Sequence, residues 1–329
     1  MIDGHGDDIY SYEGIRMNFS SNIYAHADLS GLEAHLCRHL NAIRSYPEPS
    51  PRSLEKMIAN KYGVDADEVL VTSGATDAIY LIAQAFRDRK TYHVFHPAFS
   101  EYEDACRMYG YEEQSDGAIG WLCNPNNPTG KVMTEDSIIE ASTCHDFLVM
   151  DQSYEDYTMC RLPQPDEMLG HCNIMQIHSM TKQYAIPGLR IGYITASASV
   201  IKYLRQQQRP WAVNTLAIEA GKWLVAHRGK VIPDLHAYLE ETRRLRDCLN
   251  AVEGVKAFPT QTNFFLCTLE QATAAELKAY LAKEHGILIR DASNFRTLTP
   301  HHFRVAAQSK EENDILINAI RQWTSIPHS

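Results

Sequence analysis

Ser179-Met180-Thr181-Lys182-Gln183-Tyr184-Ala185-Ile186-Pro187-Gly188-Leu189-Arg190-Ile191-Gly192-Tyr193 is the stretch that decides how this 329-residue chain is read. It sets a lysine between two apolar strand candidates, Ile174 to Ser179 and Ile191 to Thr195, with serine before it and glycine and arginine after it. Working outward, Val69 to Thr72, Tyr92 to Phe95, Ile119 to Cys123 and Phe147 to Asp151 read as further strands, and Asp77 to Arg87 as a helix. Apolar runs alternating with amphipathic stretches predict parallel strands joined by crossover helices. Each run carries its polar residue at or just past its C-terminal end, where open α/β sheets place their ligands.

The chain is long enough for two lobes. The expected fold is α/β, a large domain with a mostly parallel sheet between helices plus a smaller α+β domain. The expected divisions are an N-terminal arm at 1–45, a large domain at 46–225 and a small C-terminal domain at 226–329. The arm lacks clear periodicity and is expected to pack on the small lobe or a partner subunit. Residues 200–250 read as helical with interruptions near Pro210 and Pro233. Strands at Val255 to Phe258, Phe264 to Cys267, Ile287 to Ile289 and His302 to Ala306 follow, with helices at Ala274 to Glu284 and Glu311 to Trp323.

With 31 basic and 41 acidic residues the formal charge is -10, which argues against broad capture of nucleic acid or an anionic membrane. No stretch approaches the roughly 18 apolar residues of a spanning helix, and the N-terminus has no basic start followed by an apolar run. A soluble, cytoplasmic protein is expected. The eight cysteines form no C-x-x-C pair, and the fifteen histidines fit no H-E-x-x-H pattern. Reduced thiols and no metal site are therefore expected.

Three blocks carry chemistry: Asn124-Pro125-Asn126-Asn127-Pro128-Thr129-Gly130, Asp151-Gln152-Ser153-Tyr154 and the Lys182 stretch. Together they supply what pyridoxal 5'-phosphate (PLP) asks of a protein. Lys182 offers an amine for a Schiff base with the aldehyde, provided its pKa falls below the roughly 10.4 of a free lysine. Asp151 ends an apolar strand, where a carboxylate can pair with the protonated pyridine nitrogen. Tyr154 and Asn127 can donate to the phenolate oxygen. Ser73-Gly74-Ala75-Thr76 lies between a strand and a helix, so its N–H groups and the Thr76 hydroxyl can cradle a phosphate. Ser179 and Arg190 would complete that cup, and Phe99 can stack on the ring. Taken singly, the loop at Gly74 reads equally well as an ordinary N-cap, and Phe99 as core.

In this order the motifs resemble the class I/II aminotransferase family of fold type I PLP enzymes, over about residues 46 to 304. The resemblance implies a PLP-dependent transferase-like fold, Lys182 as the Schiff-base lysine, and the cofactor contacts just given. It also implies that Tyr46 reaches the cofactor phosphate of a neighbouring subunit in a homodimer with shared active sites, and that Arg304 grips the substrate α-carboxylate. Within the family the chain resembles histidinol-phosphate aminotransferases and the L-threonine-O-3-phosphate decarboxylases of cobalamin synthesis. His5-Gly6 and the segment Ile289 to Phe295 favour the decarboxylase branch. That group's H-G-G and S-A-N-I-N-P are replaced here by His5-Gly6-Asp7 and Ser21-Asn22-Ile23-Tyr24.

A small, phosphorylated amino-acid substrate is expected, with Arg290, His5 and Arg296 as candidate ligands of a second anion. The placement of Arg304, Arg290, Asn22 and His5 decides between loss of the α-carboxylate and loss of the α-hydrogen. Aminotransfer of the histidinol-phosphate type, with 2-oxoglutarate and glutamate, is the alternative. A PLP-binding regulatory domain without turnover is a third reading. Such regulators carry a DNA-binding segment ahead of the aminotransferase-like part, whereas here the motifs begin almost at once.

Overall fold

The computed structural model describes residues 8–227 and 232–326. Seven strands form the main sheet in the spatial order Val69–Thr72, Gly192–Thr195, Ile174–His178, Phe147–Asp151, Ile119–Cys123, Thr91–Val94 and Glu112–Glu113. All pairings are parallel except those of Gly192–Thr195, which runs antiparallel to both its neighbours. The strands Ile119–Cys123 and Ile174–His178 are buried at every position. That is why they read as continuous apolar runs: helices cover both faces, and no position is left to alternate toward water. The single antiparallel strand has a functional consequence. Its first residue lies at the edge where the parallel strands end, Thr72 pairing with Gly192, so Arg190 arrives beside the loops that follow the parallel strands.

A second sheet of four antiparallel strands takes the order Arg290–Asp291, His302–Ala306, Phe264–Leu269 and Val255–Ala257. Two of its helices start on capping boxes: Thr273 with Glu276 ahead of Ala274–Tyr280, and Ser309 with Glu312 ahead of Lys310–Thr324. Each such cap contributes on the order of 1 kcal/mol. The N-terminal arm joins this half of the molecule. Met17–Asn18 pair in parallel with Ile287–Leu288, and the backbone of Phe19 bridges Leu288 and Ala306.

The structure departs from the sequence reading in the first sixty residues. Ser30–Arg38 and Arg52–Tyr62 are helices. The first buries only Leu32, so its periodicity is too faint to read. The helical region after residue 198 resolves into Ala198–Gln207, Thr215–His227 and Leu235–Asn250. The breaks fall around the two prolines, which cannot donate a helical N–H.

Candidate active site

The ends of the parallel strands and the opening of the antiparallel one surround a cavity of about 200 Å³. Asn22, Ala75, Thr76, Phe99, Asn127, Asp151, Tyr154, Ser179, Lys182, Arg190, Arg290 and Arg304 all line it. Twelve residues spread over 283 positions thus meet in one place.

Gly74 stands at the rim as the N-cap of the helix Ala75–Ala85, with φ of 89°. It has no side chain to cap the helix, so the first-turn N–H groups lack the partner a Ser or Asp would give. A β-carbon here would sit 2.8 Å from Arg190 Nη2. The glycine therefore lets a guanidinium close over a helix N-terminus, an arrangement suited to a phosphate. Gly192 serves the same packing, since a β-carbon on it would stand 2.9 Å from the Ala75 nitrogen. Arg190 itself holds a left-handed φ of 54°, as does Ala185 at 55°. Non-glycine residues adopt this region at a cost, and such strain collects at sites whose geometry is imposed by function.

Asp151 forms the floor. Its two oxygens accept from the Tyr102 hydroxyl at 2.7 Å and the Ser153 N–H at 2.8 Å. Burial nevertheless pushes its carboxyl above the ordinary carboxylate range. A buried anion of this kind is completed by a cation, which a pyridinium nitrogen would supply. Tyr154, pushed up to about 12 by burial, remains a proton donor at neutral pH. The Asn127 carbonyl oxygen accepts from Arg304 Nη1, which leaves its amide NH2 to donate. Lys182 is partly buried, with Nζ 5.9 Å from the centre of the Tyr154 ring. The donors, the carboxylate and the glycine cradle fit PLP.

The opposite wall is cationic. Arg290 and Arg304 face each other in register on adjacent strands. Both are buried, and burial lowers the pKa of each, that of Arg304 to about 10 with the neighbouring Arg290 contributing. Arg304 Nη2 donates to the Ser20 carbonyl at 2.6 Å, while Arg290 Nη2 donates to Asn294 Oδ1 at 2.7 Å. Arg304 Nε and both amide atoms of Asn22 are buried without a hydrogen-bond partner of sound geometry. This wall holds unmatched donors and positive charge.

Other expected site residues lie elsewhere. Tyr46 is 85% exposed and packs against Trp211, with ring centres 5.4 Å apart. Arg296 does not line the cavity; it is engaged by Glu103 and Glu113, so its charge is already matched. His5 lies outside the described residues. Two tyrosines went unread in the sequence. Tyr102 braces Asp151, and the Tyr157 hydroxyl donates to the Lys182 carbonyl while accepting the Tyr24 N–H, both at 2.9 Å. Tyr102 follows Phe99 by three residues, but its partner is 49 positions away, so no local spacing marks it.

The family model for aminotransferase class I and II matches residues 15–115 and 111–320. The crystal structure of L-threonine-O-3-phosphate decarboxylase from Porphyromonas gingivalis superposes with a TM-score of 0.90 at 39% identity, covering 94% of this chain and 100% of that one. Threonine-phosphate decarboxylase of Salmonella typhimurium is 28% identical over 332 residues, 93% of this chain and 90% of its own length. Histidinol-phosphate aminotransferase of Caldanaerobacter subterraneus is 28% identical over 307 residues, 86% of this chain and 85% of its own. With the floor, the phosphate cradle and the lysine in place, the chain belongs to the class I and II aminotransferase family and is a PLP-dependent enzyme.

Proposed function

We propose that this enzyme removes the α-carboxylate of a small phosphorylated amino acid, with L-threonine O-3-phosphate as substrate. The carrying observation is the facing pair Arg290 and Arg304, two buried cations on the wall across from the phosphate cradle. Asp291 and Asp8 offset part of the Arg290 charge, and two like charges held together out of water still favour further anions beside them. A substrate with a carboxylate at one end and a phosphate at the other supplies both. Similarity to the P. gingivalis decarboxylase supports the same substrate class.

Bound PLP supplies an electron sink for the pair left when a bond at Cα breaks. Asp151 would hold its ring nitrogen, Asn127 and Tyr154 its phenolate oxygen, and Thr76, Ser179, Arg190 and the helix N-terminus its phosphate, with Phe99 against the ring. Arg304 binds the substrate carboxylate as a fork, and Arg290 binds the distal phosphate. Gripping both ends fixes which bond at Cα faces the cofactor and which side faces Lys182. With the cofactor bound, the Cα–carboxylate bond would be the one cleaved, CO2 would leave into the cleft, and Lys182 Nζ, as its ammonium, would deliver the proton that replaces it at Cα. Tyr157, holding the Lys182 carbonyl, fixes the backbone from which that amine reaches.

Tyr46 supports a homodimer as the working unit. It is absent from its own chain's cavity and exposed beside Trp211, with Leu40 and Ile43 also exposed nearby in sequence. In the dimer it would face the neighbour's cofactor phosphate. Product analysis tests the reaction: threonine phosphate should yield CO2 and the phosphorylated amino alcohol in equal amounts. Amino transfer to 2-oxoglutarate from histidinol phosphate, with no CO2 from threonine phosphate, would establish the aminotransferase reading instead.

A further inference from the structure

Away from the cleft, the helix Ser30–Arg38 crosses the helix Thr215–His227 and brings two histidines to a carboxylate. His35 and His39 lie one turn apart, and each has a ring nitrogen within 4.8 Å of the other's and of a Glu219 oxygen. Helical residues four apart share a face, the spacing by which one helix offers two imidazoles to one ion.

The hydrogen bonds leave the ligand atoms available. His39 Nδ1 lies 2.8 Å from the His35 carbonyl oxygen. A carbonyl only accepts, so Nδ1 carries the proton and Nε2 keeps its lone pair. A backbone carbonyl behind a ring nitrogen is the usual brace of a metal-bound histidine. His35 Nε2 is buried and has no hydrogen-bond partner. Glu219 Oε1 accepts from Lys222 at 3.1 Å, leaving Oε2 for a ligand. Trp223, with its ring centre 6.2 Å from that of His35, closes one side.

The second cluster of this type, His96 with Glu103 and Glu113, differs in one respect. Arg296 already occupies it, bonded to both carboxylates. Around the first cluster, among the described residues, Lys222 pairs with Glu219 Oε1 and is shared with Glu48, and the Arg38 charge lies near enough to act on His35 without an ion pair to Glu219.

We propose that His35, His39 and Glu219 form a binding site for a divalent transition metal of the zinc class, linking the N-terminal arm to the helix Thr215–His227. Two imidazoles and a carboxylate match the donor preference of Zn2+ and leave a fourth position for solvent. Ligand atoms around a tetrahedral zinc stand about 3.4 Å apart, given metal–ligand distances of about 2.1 Å. The ligand atoms, all within 4.8 Å of one another, would draw together to that separation on binding. The ion would act as a cross-link and does not enter the reaction at Lys182.

The test uses the chelator-treated, PLP-loaded protein titrated with ZnCl2 by calorimetry, with metal content measured after desalting. One zinc per chain should bind, Tm should rise by about 2–4 °C at saturation, and EDTA should reverse both. His35→Gln and His39→Gln should each weaken binding more than about 10-fold while keeping the metal-free Tm. Cobalt in place of zinc should give wild-type protein the visible bands of a four-coordinate nitrogen and oxygen site, a readout that needs no variant. Absence of stoichiometric zinc, cobalt bands of a six-coordinate aquo ion, or wild-type affinity in both variants would overturn the assignment. Decarboxylation does not depend on this site, so its failure would leave the proposed activity untouched.

Discussion

The floor and the wall of the cleft are built on opposite plans. The floor is made of loops that follow consecutive buried strands, and its groups are braced: Asp151 accepts two hydrogen bonds and Asn127 is oriented by Arg304. The wall is assembled from the N-terminal arm and two antiparallel strands. It carries two facing arginines, and its Arg304 Nε and Asn22 amide lack hydrogen bonds of sound geometry. A floor that serves one fixed cofactor can be preorganised, whereas a wall that receives a changing ligand keeps unmatched donors for it. On the proposed reading, the difference would place cofactor chemistry on one side and substrate choice on the other.

The largest effect expected on this division comes from Lys182→Ala. Turnover should fall by about 10⁴-fold, and borohydride should no longer fix the cofactor to the chain, as read by mass spectrometry. Cofactor trapped elsewhere with activity retained would break the floor side of the comparison. On the wall, Arg304→Gln should raise KM by about 10²- to 10³-fold, with only a small shift in the absorbance of bound cofactor from the loosened Asn127. A colour change with KM preserved would move Arg304 to the floor.

Tyr102→Phe sharpens the floor itself. It removes one donor from a buried carboxylate, so kcat should drop by about 10-fold and cofactor affinity should weaken in step. Unaltered kinetics would make the Tyr102 hydroxyl a packing contact only.

The smallest effect lies at Asp156, a solvent-exposed side chain whose carboxyl is raised by the protein packed around it and by neighbouring Glu155, with water screening much of that shift. A carboxyl raised in the folded state adds no penalty below its unfolded pKa near 3.8 and costs stability progressively as pH rises through its folded value. Asp156→Asn should therefore scarcely alter Tm at pH 4 and raise it by no more than about 1 °C at pH 8, measured by calorimetry. A gain confined to acid would reverse the sign.

The same division explains what could be read without coordinates. Val69–Thr72, Ile119–Cys123 and Phe147–Asp151 were legible to the residue because double-sided burial leaves an uninterrupted apolar signal. Their following loops carry the floor residues in sequence motifs. The antiparallel direction of Gly192–Thr195 was not legible, since an apolar run has no arrow. Nor was the helix Arg52–Tyr62, which follows a Pro-rich segment. Wall residues Arg290 and Arg304 could be named from resemblance, but their register arises from pairing across a sheet. The His35 and His39 pair escaped a search for H-E-x-x-H because a leucine follows the first histidine and the carboxylate comes from another helix.

The central claim is that the second wall arginine selects the substrate's distal anion, and one comparison measures it directly. CO2 release from L-threonine O-3-phosphate and from L-threonine is followed in the wild type and in Arg290→Gln. The wild type should prefer the phosphate ester by more than about 100-fold in kcat/KM, and the variant should lose most of that preference. An equal preference in the two proteins, or none in the wild type, would contradict it.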